Sequence, residues 1–145
     1  MFPLLFYDAI DIPYMEKAVD LILSLQNKYG GFDLRKNASA CEDIDAVEPL
    51  IRLSVKLPGY REEEIQRALK KALFWIRQNQ GLDGGFVFRK GELFNYGNVN
   101  MSSHINESNL FATWFRTLSV CYIRDYLLGI QHDYTRVPGY EFPLW

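Results

Sequence analysis

The stretch Lys17–Phe32 reads KAVDLILSLQNKYGGF, and Lys71–Phe86 reads KALFWIRQNQGLDGGF. The two align without a gap at a constant offset of 54 positions. Lys17/Lys71, Ala18/Ala72, Ile22/Ile76, Gln26/Gln80, Gly30/Gly84, Gly31/Gly85 and Phe32/Phe86 are identical pairs. A period of this length marks a repeated supersecondary unit and decides the architecture.

Working outward, each copy is an apolar-striped segment closed by a glycine pair. The spacing predicts a first helix over about 13–27, with Ala18, Val19, Ile22, Leu23 and Leu25 on one face and Pro13 in its first turn. A second is expected over about 43–56. Ser39 and Glu42 have capping-box spacing before it, and Asp43 and Asp45 suit the positive end of its dipole. Pro49 should bend this helix or delay its start. Leu57-Pro58-Gly59 is a stop. A third is expected over about 62–80, acidic first and basic last, with Ile65, Ala68, Leu69, Ala72, Leu73 and Ile76 inward. A fourth, over about 107–128, is apolar nearly all round and is expected to be buried on every side.

The fold class is therefore all-α, built of α/α hairpins in a single helical repeat domain over 1–145. Hairpin one spans about 11–57 and hairpin two about 61–129. An irregular tail over 130–145 should pack across the body. The segment 81–106 is long for a connection in a compact domain, which points to function or to packing of its own. It carries Phe86, Phe88, Phe94 and Tyr96.

With 145 residues, 48% hydrophobic and 23% charged, the chain can build a real core. A net charge of −2 provides no basic field for a phosphate backbone, so nucleic acid is not an expected partner. Cys41 and Cys121, the two cysteines, suggest reduced thiols and a cytoplasmic setting rather than a disulfide framework. The apolar start MFPLLFYDAI lacks a basic flank and meets Asp8 at once, unlike a signal peptide.

The repeat can be written Gln-x-x-x-Gly-Gly-Phe, at Gln26–Phe32 and Gln80–Phe86. It resembles the glutamine–tryptophan repeats of squalene-hopene cyclases and related class II terpene cyclases, whose α/α toroid is shared by protein prenyltransferase β subunits. Phe stands here where that family usually has Trp. The resemblance covers about 13–129. It implies isoprenoid or terpenoid cyclisation and an incomplete toroid segment, since two hairpins cannot close a barrel. The expected assembly is accordingly a homo-oligomer or a place within a longer chain.

By the same resemblance, Asp43-Ile44-Asp45 matches the first three positions of the cyclases' Asp-x-Asp-Asp acid motif, with Ala46 where the last Asp would stand. Carried over, Asp45 falls on the proton donor and Asp43 on its neighbour. Such a donor must be kept protonated by an apolar site or a nearby carboxylate. Helix capping and dipole complementarity account for the same acids without a substrate. Phe86, Phe94, Tyr96, Phe111 and Trp114, with Glu107, are the candidate substrate-binding residues, because ring faces stabilise cations. Core packing is the competing account.

No cofactor is expected. The prenyltransferase likeness raises a zinc alternative at Cys41, Asp43 and His104, but the Asp-x-Cys order is reversed and no second Cys or His supports it. An isoprenoid or other apolar ligand is the expected partner, with peripheral membrane contact left open. A noncatalytic helical repeat module that binds a partner protein or apolar ligand is the other reading.

Overall fold

A computed structural model describes residues 11–130, with the side chains of residues 96 and 98–101 outside that description. The fold is all-α. Its helices are α1 (Met15–Ser24), α2 (Ala40–Lys56), α3 (Glu62–Gln78) and α4 (Leu110–Leu128). A short antiparallel hairpin, β1 (Phe94–Tyr96) and β2 (Asn98–Ser103), lies in the second long loop. The sequence reading did not anticipate this hairpin. The tail from 131 and its His132, with the first ten residues, lie outside the described residues.

Helices α2 and α4 share the most extensive contact in the fold. Helix α1 packs on α2, and α3 packs on both α2 and α4. Val19, Val47, Leu50, Leu53, Ile65, Leu69, Ile76 and Ile123 are shielded from solvent in one core. Full burial of such side chains stabilises by roughly 1.5–3 kcal/mol each.

Local chemistry explains the helix ends. Ser39 caps α2: its hydroxyl accepts from the Glu42 amide at 3.3 Å, and the Glu42 carboxylate accepts from the Ser39 amide at 2.5 Å. The capping box thus starts α2 at Ala40, three residues before the expected start. The helix runs on through Pro49, which supplies no N–H for the carbonyl one turn back. Helix α1 begins later than expected. Tyr14 precedes it with φ 60°, which leaves Pro13 outside the first turn. Helix α4 begins at Leu110, where the Asn109 side chain accepts from the Ala112 amide at 2.8 Å.

One expectation is corrected. Helix α4 is not buried on every side: Leu110 is 89% exposed, Trp114 56% and Leu128 64%. Its Ala112, Arg116, Ser119 and Ile123 face is covered. The apolar residues on the far side have nothing described upon them. Helix α2 is the more enclosed of the pair, with every residue from Ala46 to Leu53 buried.

The repeat is visible in atomic detail. Gln26 Nε2 donates to the Gly30 carbonyl at 2.9 Å, and Gln80 Nε2 donates to that of Gly84 at 2.9 Å. The Asn27 amide bonds the Gly31 carbonyl at 2.9 Å, and the Gly81 amide bonds that of Gly85 at 2.8 Å. Gly30 and Gly84 have φ of 106° and 85°, which an L side chain rarely adopts. A Cβ on Gly31 would strike the Cβ of Ala38, and one on Gly85 would strike that of Ser108. The two turns match because the identical residues act on the backbone.

The second turn also braces the first hairpin. The Phe88 carbonyl accepts from the Ala40 amide at 3.1 Å, satisfying one of the unpaired N–H groups at the start of α2.

Candidate functional site

The acidic start of α2 is set by helical phase. Asp43 lies on the stripe it shares with Val47 and Leu50, and it is fully buried. Asp45, two residues on, faces outward and is exposed. The proton-donor position of the resemblance, Asp45, therefore lies outside the apolar interior, and its neighbour Asp43 lies within it. Burial pushes the Asp43 carboxyl up to about 6, against the opposing pull of Arg116 and smaller contributions from Trp75 and the Phe32 amide.

Arg116 is the partner that the sequence reading missed. It is fully buried on α4, with Nη2 at 3.3 Å from Asp43 Oδ2. The same nitrogen lies 3.2 Å from the carbonyls of Ala38 and Phe88. Its Nε and Nη1 have no hydrogen-bond partner among the described residues. One guanidinium on α4 thus joins the start of α2 to the segment that follows the second turn. A signal existed: Arg116 shares the i, i+3, i+4 face of Ala112, Ser119 and Ile123, where a charge must be paired.

Asp43 has a counterpart in the second hairpin. Counted from the capping residues Ser39 and Asn109, Asp43 and Thr113 stand at the same helical position. Thr113 Oγ1 accepts from the Phe86 amide at 2.9 Å. The Phe32 backbone favours the Asp43 anion without a hydrogen bond of that geometry, so each side chain is associated with the loop Phe of its own repeat.

Outside this pair, Glu42 is engaged on both oxygens. One closes the capping box, and the other accepts from Arg35 at 2.8 Å and from Arg89 at 2.6 Å. A second buried ion pair, Glu48–Arg52 at 2.6 Å, lies one turn and more along α2.

The candidate substrate-binding residues separate into three groups. Phe86 is 6% exposed and belongs to the main core. Phe94 stacks on Phe88 with centroids 4.1 Å apart, and Phe111 lies 6.0 Å from Phe94. Phe111 meets Phe115 at 4.5 Å, and Phe115 meets Trp114 at 4.9 Å. Phe94, Phe111 and Trp114 thus join one aromatic chain with Phe88 and Phe115. The Tyr96 side chain lies outside the described residues. Glu107 is exposed and accepts from the His104 amide at 2.7 Å, a loop-closing role.

A cavity of about 210 Å³ lies elsewhere, between Ser54, Leu57, Pro58, Tyr60, Glu62 and Tyr126. Neither Asp43 nor the aromatic chain lines it. Among the described residues no group of three His, Cys, Asp or Glu side chains is placed to hold a metal, so Cys41, Asp43 and His104 do not form one. The Cys41 thiol, half-buried, is pushed up to about 11 by burial, with Asp45 and Glu42 adding to it. A thiol so protonated is a poor metal ligand or nucleophile at neutral pH. No described helix is long and apolar enough to cross a membrane.

The lanosterol synthase of Gibberella zeae is similar to this chain, 27% identical over 105 residues. The match covers 57% of this chain and 14% of the relative. It supports a terpenoid cyclase-like relationship. No family model matches the sequence, and no solved structure matches it.

Proposed function

We propose that this chain is a repeat module of terpenoid cyclase-like descent, an incomplete segment of an α/α toroid, that acts by binding rather than by proton-initiated cyclisation. The observation that carries this reading is the Asp43–Arg116 pair. The one acid of the Asp43-Ile44-Asp45 motif with an apolar setting faces a buried guanidinium. It also stands where Thr113 holds the loop of the other repeat. A scaffold role accounts for both facts, and Asp45 lies exposed on the outer side of α2.

The aromatic chain from Phe88 to Trp114 favours a second reading, an isoprenoid site with Asp43 as the acid. A carboxyl near pKa 6 holds its proton about half the time at that pH. Incubation with a linear polyprene and with its terminal epoxide, followed by product analysis, separates the two. The module reading expects no cyclic product. Cyclisation that survives Asp45→Asn and disappears in Asp43→Asn would replace it with the enzymatic one.

A further inference from the structure

The two turns are alike in themselves and unlike in what covers them. On the first turn lies α3. Gln26 Nε2 donates to the Ala68 carbonyl at 2.8 Å, in addition to its bond within the turn. Gly30 is pressed against the Lys71 carbonyl, where an added Cβ would lie 2.4 Å from the oxygen. Gly31 meets the Trp75 indole, and a Cβ added there would lie 2.8 Å from the ring nitrogen. Helix α3 is therefore seated on turn one through one amide, two glycines and one aromatic ring.

Turn two keeps the same fittings with no further helix described upon them: Gly85 meets Ser108 and Thr113 of its own repeat, as Gly31 meets Ala38. Gln80 is exposed, and among the described residues its Nε2 makes the bond to Gly84 alone. Gly84 is exposed, and no described atom comes within 4 Å of its added Cβ. Leu82 at the tip is fully exposed, and Leu110 and Trp114 on the open side of α4 are exposed as well. A seat that is filled once within the chain has no occupant at its other end among the described residues.

The repeat also supplies the matching helix. At the 54-residue offset, Lys71 corresponds to Lys17 and Trp75 to Leu21. On α1 both are exposed, Leu21 by 60%. Lys17 lies over the Tyr14 ring at 4.9 Å, extending this bare face. We infer that a second copy of this chain docks head to tail, its α1 seated on turn two as α3 is seated on turn one. The Lys17 carbonyl would take the place of Lys71 against Gly84, and Leu21 would take the place of the Trp75 ring. The inference rests on the repeat-module reading and adds the identity of the partner.

Such an interface joins different patches on the two copies, so it does not close at two subunits and leads to a ring or an open array. Two substitutions test it in the full chain. Leu21→Glu disables the helix, and Gly84→Asn fills the seat with a residue that tolerates positive φ. Both positions are exposed, and circular dichroism and thermal melts confirm that each variant is folded. In sedimentation, the unaltered chain is expected to gain mass with concentration past the dimer, and each variant to remain a monomer. Each variant retains the half that the other lacks. Their equimolar mixture is therefore expected to double in mass and stop there. A monomeric unaltered chain overturns the inference, as does association that persists in either variant or a mixture that stays monomeric. None of these results bears on turnover, so the module reading stands or falls separately.

Discussion

Asp43 Oδ2 and Arg116 Nη2 approach to 3.3 Å while both side chains are fully shielded from solvent. Two opposite charges taken out of water are held together at a desolvation cost that their attraction does not fully offset. The Asp43 carboxyl accordingly sits near 6, above its ordinary 3.8.

That shift has a signed consequence. A carboxyl raised on folding binds its proton more tightly in the native state, so its contribution is greatest below about pH 4 and is lost as pH rises through about 6. Relative to Asp43→Asn, the unaltered chain should lose on the order of 3 kcal/mol across that window and run parallel above it. Urea unfolding of both proteins at a series of pH values measures the difference and cancels the other acids. Parallel curves from pH 4 to 6 would refute the raised carboxyl.

Removing the cation leaves the Asp43 carboxyl buried without its partner and raises it further. Arg116→Met should destabilise the fold by about 3–5 kcal/mol at pH 7, the usual result of breaking a buried pair from one side. Adding Asp43→Asn should recover much of that loss, because no charge is then left buried. Denaturant midpoints of the two single variants and the double variant close the cycle. A double variant no more stable than Arg116→Met would show that the two groups are uncoupled.

The two glycine turns should respond unequally to the same change. Gly30→Ala and Gly84→Ala carry similar backbone strain, since both residues have positive φ. Only Gly30 also drives its Cβ into the Lys71 carbonyl, which belongs to a helix backbone and cannot swing aside. Gly30→Ala should cost about 1–3 kcal/mol more than Gly84→Ala, the usual range for overpacking. Thermal or urea midpoints decide it, and equal losses would contradict the seating of α3.

Thr113→Val keeps shape and removes the acceptor of the Phe86 amide. The orphaned, part-buried N–H should cost about 1–3 kcal/mol. Hydrogen exchange at Phe86 should accelerate beyond what the global loss explains. Unchanged exchange at that amide would mean the threonine does not hold the loop.

The repeat was legible because its identical residues act on the backbone. Gln26 and Gln80 make the same bond, and Gly30 and Gly84 the same turn, so chemistry and spacing coincide. The distinction between Asp43 and Asp45 was also in the sequence, although motif matching concealed it. Asp43, Val47 and Leu50 fall at i, i+4 and i+7, the buried stripe of α2, and Asp45 does not. The β-hairpin was hidden because Phe94–Tyr96 is too short to show alternation. The open side of α4 was not readable at all. An apolar residue looks the same in sequence whether its own chain covers it or leaves it bare, and among the described residues Trp114 is 56% exposed.

The Phe88 carbonyl, contributed by the second hairpin, receives both the Ala40 amide and the Arg116 guanidinium. Helix α2 consequently begins on an acceptor that arrives more than forty residues later in the chain. Severing the chain at the 57–59 turn would leave the first half with an unfinished helix start and an unanswered Asp43. The two halves, though nearly copies in their turns, are thereby joined: the helix start and the buried acid of the first are each completed by the second.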